Sequence, residues 1–281
     1  MADLRLFKNA GLLKQHRMPK SLAGLFTNLT VIAKNTFREA VRDRILYNLI
    51  VFVLLITASA IFLGELTAGQ EAKVIVDLGL SSMLVFGAFI SIFVGVSLVW
   101  KEIEKRTVYS IFSKPVGRGE FIVGKYLGLC ATLLVNVAIM GAGVTLALIY
   151  VGGGRLIGPL WAAVLLIYLE LTVLTAVAIM FSSFSTPALS ALLTFFVFVI
   201  GHFSSALKLI AADLGSVGAR YFFTGMYYVL PNFSHYSFIT ETANGLRAPV
   251  SMLAAAGLLA IIYNVVLLSV TVAIFTRRNF K

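Results

Sequence analysis

LGLSSMLVFGAFISIFVGVSLVW (Leu78–Trp100), then KEIEKRTVYSIFSKPVGRGEFIVGK (Lys101–Lys125), then a second apolar run from Tyr126 to Tyr150, is the stretch that decides the fold. Two uncharged segments, each longer than the roughly 20 residues that cross a bilayer core as helix, flank a short connection dense in charge. Charge is scarce elsewhere: 12% of residues are charged, 59% are hydrophobic, and mean hydropathy is +0.96. The connection nevertheless holds six of the 23 Lys and Arg. In such a chain it is the place to meet something soluble.

Working outward, four more apolar runs appear: Ile45–Leu63, Leu160–Phe181, Ala188–Leu207 and Met252–Thr276. Backbone polar groups in lipid are satisfied only in helices or closed barrels, and none of these runs alternates with the period of two that barrel strands require. The expected class is an all-α polytopic membrane protein with six transmembrane helices in a domain spanning 45–276. The expected organisation adds an N-terminal segment 1–44, a connection 101–125, a long loop 208–250 and a short tail 277–281.

Orientation is read from Lys and Arg. Nine precede the first run (Arg5, Lys8, Lys14, Arg17, Lys20, Lys34, Arg38, Arg42 and Arg44), six lie in 101–125, and Arg277, Arg278 and Lys281 follow the last run. The opposite side has Lys73, Arg155, Lys208, Arg220 and Arg247. Eighteen against five places both termini and the 101–125 connection in the cytoplasm, with the spans in the cell (inner) membrane. Retention charges and anionic lipid explain the formal net charge of +11, so nucleic acid is not an expected partner. The first 44 residues lack the apolar core of a signal peptide. A single cysteine, Cys130, allows neither a disulfide framework nor a thiolate metal site within one chain.

Between Leu22 and Arg44 the pattern changes. Leu22, Leu25, Phe26, Leu29, Ala33, Phe37, Ala40 and Val41 recur at helical spacing, while Lys34, Arg38 and Arg42 gather elsewhere. This predicts an amphipathic helix lying on the headgroup surface, in preference to the solvated start of a long first span. The 208–250 loop is hardly polar, with eight aromatics between Tyr221 and Phe238. It is expected to form short helices that enter the leaflet or pack on the spans, broken at Pro231-Asn232. No inverted three-plus-three repeat of the charged connection occurs in the second half.

Gly119-Glu-Phe-Ile-Val-Gly124-Lys125 has the spacing of a phosphate-binding loop. Tyr126 follows where Ser or Thr should hold magnesium, and no buried strand precedes it, so the chain is not expected to bind ATP. Lys114-Pro115-Val-Gly117-Arg118-Gly119 is a forced turn, and Glu120 starts the next helix. The product is a short charged elbow, suited to docking in a cleft of a soluble partner.

Glu102-Ile-Glu104-Lys-Arg106-Thr107, then Ser113-Lys114-Pro115-Val-Gly117-Arg118-Gly-Glu120-Phe-Ile-Val-Gly124-Lys125, resembles the motif between the second and third spans of the type II ABC (ABC-2) exporter permeases. The subgroup it most resembles includes the permeases of gliding-motility and nitrous-oxide-reductase maturation systems. Six spans, the interfacial helix and Leu230-Pro231-Asn232 extend the likeness over nearly the whole chain. The departure is Lys105-Arg106, where a glycine is common. The resemblance implies a permease subunit without catalytic, metal or cofactor site of its own, ATP and Mg being bound by a separate cytoplasmic ATPase present in two copies. It implies a second permease chain, identical or paralogous. Glu102, Glu104, Arg106, Thr107, Lys114, Pro115, Gly117, Arg118, Glu120 and Lys125 form the implied ATPase-coupling element.

Polar residues at span depth are costly and therefore candidates for the translocation path. Glu170 either faces such a path or is held between helices; His202 and Asn136 are a proton-relay candidate and helix glue respectively, with interhelical hydrogen bonding the alternative role for His202. Glu170 and His202 also sustain a competing reading, a self-sufficient proton-coupled carrier. A membrane scaffold that transports nothing is the third.

Overall fold

The computed structural model describes residues 22–42, 48, 51–56, 58–59, 62, 69–104, 117–204 and 217–277, and no strand occurs among them. Helix α1 (Leu22–Ala40) is followed by α2 (Glu71–Glu104), α3 (Arg118–Tyr150), α4 (Ile157–Ser182), α5 (Pro187–His202), α6 (Val217–Val229), α7 (Ile239–Ala243) and α8 (Val250–Arg277). Short 3-10 turns cover Gly154–Leu156 and Phe233–Tyr236.

Among the described residues, four helices are long and apolar enough to cross a membrane: α2, α3, α4 with its leading 3-10 turn, and α8. The chain is a multi-pass membrane protein. At 34 and 33 residues, α2 and α3 reach about 50 Å, well beyond a hydrocarbon core of roughly 30 Å. Helix α2 starts seven residues before the expected run because Glu71, Lys73 and Asp77 continue the helix in polar form. Helix α5 covers Pro187–His202, 16 residues that rise about 24 Å; the far end of the expected run, Leu207, lies outside the described residues. The expected first span is described only in pieces. Residues 51–56 are helical; Phe52 is fully buried and meets Phe86 of α2 edge-on at 6.0 Å.

Helix α4 is the centre. Of its most apolar window 72% is buried inside the protein, against 22% for α8, so α4 is a core helix and α8 turns most of its surface outward. Leu160, Leu166, Ile167, Leu171 and Leu174 of α4 pack with Leu80 and Met83 of α2 and Leu129, Leu133 and Met140 of α3. Outward residues such as Leu146 and Ile149 on α3 and Ile261 and Val265 on α8 form an apolar exterior, as a lipid solvent requires.

Hydroxyls in these helices bond back to their own backbone: Thr132 to Gly128 O, Thr175 to Leu171 O, Thr194 to Ser190 O, Thr271 to Leu267 O. Helix α3 ends in a Schellman motif. Gly152, at φ +77°, lets its own N–H reach Ile149 O and the Gly153 N–H reach Leu148 O. Pro187 occupies the first turn of α5, where its missing donor costs nothing.

Candidate functional site

The 101–125 connection returns to the bundle through the first turns of α3. Gly117 is the extended N-cap, and Arg118 is the first helical residue. The last carbonyls of any helix lack partners within it and carry partial negative charge. Arg118 supplies what α8 lacks there. Its Nη1 donates to Phe275 O at 3.0 Å and Thr276 O at 2.9 Å. Phe121, one turn on, stacks on Phe275 with centroids 6.1 Å apart.

The same turns of α3 lie against α1, in parallel. Asn28 Nδ2 donates to Glu120 Oε2 at 3.0 Å. Four residues further along both chains, Ile32 sits over Gly124. Four further again, Thr36 and the Ala33 carbonyl sit over Gly128. A Cβ at Gly124 would stand 2.7 Å from Ile32 Cγ2; one at Gly128 would stand 2.5 Å from Thr36 Cβ and 2.6 Å from Ala33 O. Small residues four apart let helix backbones approach this closely, and here the approach leaves no room for a methyl group. Lys125 Nζ, its side chain only 6% exposed, pairs with Glu39 Oε2 at 3.3 Å and lies 5.8 Å from the Phe121 ring centroid. A charge buried to that degree needs such a partner.

This geometry disposes of the phosphate-loop spacing. Gly119 to Lys125 is continuous helix, Gly124 is occupied by Ile32, and Lys125 is engaged by Glu39. It also gives α1 a partner within the chain. Asn28, Ile32, Thr36, Glu39 and the Ala33 carbonyl meet α3, while Lys34 and Arg38 with Phe26 and Val31 face outward.

Of the residues assigned to the coupling element, Glu102 and Glu104 lie in the last turn of α2. Arg106, Thr107, Lys114 and Pro115 fall outside the described residues. Gly117, Arg118, Glu120 and Lys125 are described, and the last three converge with α1 and α8 on one junction. Asn28, Glu39 and the Gly124/Gly128 pair escaped notice in the sequence, although the four-residue glycine spacing was legible.

A second polar centre lies deep in the bundle. Glu170, 1% exposed at the middle of α4, has its Oε1 3.4 Å from Nε2 of His202, the last residue of α5. The Phe233–Tyr236 turn closes over them. Phe233 packs beside Phe198 and His202 with centroids 6.3 and 5.8 Å away, and Tyr236 is buried within electrostatic reach of Glu170. Gly201 makes room: a Cβ there would run into the Phe233 ring and stand 2.7 Å from Pro231 O. Asn232 fixes the turn, its Oδ1 accepting from Ser234 N at 3.1 Å and from the Ser204 hydroxyl. Asn136, by contrast, donates to Thr132 O of its own helix, consistent in form with an internally satisfied amide.

The family model for ABC-2 family transporter proteins matches residues 30–280, which include the Glu170–His202 centre, the α3 and α8 sides of the junction, and α1 from residue 30 onward. The chain belongs to this family. It is therefore an ABC-transporter membrane permease, and ABC-2 permeases are typically non-enzymatic membrane subunits that associate with an ABC ATPase. A comparison with curated proteins returned no match.

Proposed function

We propose that this ABC-2 permease is the exporter subunit on which a separate cytoplasmic ATPase acts through the 101–125 connection. Two such ATPase copies, with ATP and Mg, would serve a pair of permease chains, identical or paralogous, in the cell inner membrane. Both termini would lie on the ATPase side, and six spans would form the domain. The likeness of the connection to that of the gliding-motility and nitrous-oxide-reductase maturation permeases supports reading the chain as a member of that subgroup.

The observation that supports coupling is the junction at the start of α3. A force on the connection arrives first at Arg118, Glu120 and Lys125, and these side chains hold α8 and α1 respectively. A push there moves three helices together in place of bending one loop. Glu102, Glu104, Arg106, Thr107, Lys114 and Pro115 would provide the docking surface proper, with Gly117 shaping its exit.

The test is purification of the intact chain in mild detergent with its ATPase, followed by reconstitution and assay of ATP-driven transport. Lys114→Glu should abolish ATPase retention. Arg118→Glu should retain the ATPase and lose transport. Retention and transport unaffected by both would refute coupling through this connection. The Glu170–His202 pair gives the proton-coupled carrier its one favourable observation. That reading requires transport without any ATPase.

A further inference from the structure

The Glu170–His202 contact has a chemical constraint built into it. His202 Nδ1 lies 3.1 Å from Phe198 O, a helix-end carbonyl that can only accept, so Nδ1 carries hydrogen and donates. In a neutral imidazole the other nitrogen, Nε2, is then a bare lone pair. That lone pair faces a carboxylate oxygen at 3.4 Å, and neither atom has another hydrogen-bond partner. An ionised Glu170 beside a neutral His202 would set lone pair against lone pair and leave an uncompensated charge on a carboxyl group that is 1% exposed. One proton removes both difficulties, as carboxylic acid with imidazole or as carboxylate with imidazolium.

We propose that Glu170 and His202 together form a one-proton binding site, and that its proton latches the Phe233–Tyr236 turn onto the bundle. The turn is positioned to feel it. Phe233 rests against the His202 ring, Pro231 O and Phe233 fill the space over Gly201, and Tyr236, whose hydroxyl is also buried without a hydrogen-bond partner, senses Glu170. Few other groups compete, and His235, on the turn itself, is exposed to the outside of the bundle and not turned to the pair. Tyr263 of α8 couples to Tyr236, and Tyr168 lies two residues from Glu170 on α4 itself. Facing α4, α2 carries no titratable residue from Leu78 to Trp100. Those of α3 in its span, Tyr126 and Cys130, interact with each other, and Glu241 of α7 is exposed.

The latch has a defined sign. With the turn lifted and the pair in water, the proton is held only as tightly as by an ordinary histidine, near pH 6.5. The closed form holds it more tightly, because there the alternative is a bare buried carboxylate. Above about pH 6.5 the open form therefore binds one proton fewer, and the open fraction rises roughly tenfold per pH unit until the closed form also releases its proton. Glu170→Gln places a permanent N–H donor opposite Nε2 and removes the titration. This inference concerns the chain's own packing and stands whether or not the 101–125 connection docks an ATPase.

The test is amide hydrogen exchange of residues 233–237 in lipid nanodiscs between pH 6 and pH 9, corrected for intrinsic rates. Wild type should show opening that climbs about tenfold per unit, and Glu170→Gln should stay flat. A flat wild type, or an equal slope in Glu170→Gln, overturns the proposal. Should Glu170→Gln not fold, His16→Gln/His235→Gln leaves His202 as the one histidine. Its nitrogen-15 spectrum, with the infrared carboxyl stretch, then decides at neutral pH. An imidazolium or a protonated buried carboxyl supports the site; a bare Nε2 without any protonated carboxyl overturns it.

Discussion

Arg118 at the start of α3 and Phe275 at the end of α8, 157 residues apart in the chain, are joined by a side-chain-to-carbonyl bond of 3.0 Å that also takes in Thr276. The bond closes the bundle at the point where the charged connection re-enters it. Hydrogen bonds involving a charged donor contribute about 1.5–3 kcal/mol, and a cation at a helix C-terminus adds a fraction of that. Arg118→Ala should therefore lower transport roughly ten- to a hundredfold if the closed junction is the conducting arrangement. Arg118→Glu, which sets a carboxylate against the negative end of α8, should be worse, and Arg118→Lys intermediate. Membrane insertion, read by protease protection, should be unchanged in all three. Equal transport by wild type and Arg118→Ala would mean that the bond carries no mechanical load.

The α1–α3 seam predicts a graded response to added methyl groups. Gly128→Ala must displace Thr36 or the backbone carbonyl of Ala33, and backbone does not yield cheaply. Overpacking of this kind costs about 1–3 kcal/mol. Gly257 of α8 has nothing within 4 Å of a built Cβ, so Gly257→Ala should be neutral or slightly stabilising through helix propensity. Thermal unfolding in one detergent compares the two. An equal shift for both would show that the seam is not tightly packed.

Glu39 and Lys125 are unequally buried, at 40% and 6% side-chain exposure, and the pair should respond unequally to truncation. Glu39→Ala removes a carboxylate partner from a buried cation; Lys125→Met leaves a carboxylate that water already reaches and fills the space with an apolar chain. The first should be the more destabilising by about 1–3 kcal/mol, and the swap Glu39→Lys/Lys125→Glu should recover part of the loss. A thermal-shift double-mutant cycle measures this. A larger loss for Lys125→Met would assign the stabilisation to the lysine stem on Phe121 and not to the charge.

The apolar runs were legible because lipid imposes a length and a composition that any helix crossing it must meet. Helix ends were less so. Hydropathy marks the part of α2 from Leu78 onward and misses the seven helical residues before it, where Glu71, Lys73 and Asp77 interrupt the apolar ones. It runs past His202, the last residue of α5, because the Phe203 that caps the helix is apolar, whereas the cap comes where His202 turns to Glu170. The stripe on α1 was visible, but the residues that meet α3 lie on the adjoining face and three of them, Asn28, Thr36 and Glu39, are polar, so an apolar period does not mark them. Glu170 and His202 each stood out as polar atoms in apolar runs. That they face one another across 32 residues, under a turn that begins a further 31 away, is information that only packing holds.

Gly201 offers a way to move that turn without touching a polar group. A side chain at this position meets the Phe233 ring and, at 2.7 Å, the Pro231 carbonyl. Alanine pushes against both, and valine adds bulk that Phe198 and Phe233, already in contact, leave no room to absorb. Gly201→Val should lift Pro231–Tyr236 off α5, breaking the Ser204–Asn232 bond and hydrating the Glu170–His202 pair. Exchange protection of the Ser234 amide, which depends on Asn232 Oδ1, should fall at least tenfold, while α4 amides around Glu170 stay protected by their own helix. The wild-type pH response of the turn should disappear with it, because a turn that is already open has no closed form for the proton to favour. Ser234 protection equal to wild type would show that the turn is held by contacts other than those over Gly201.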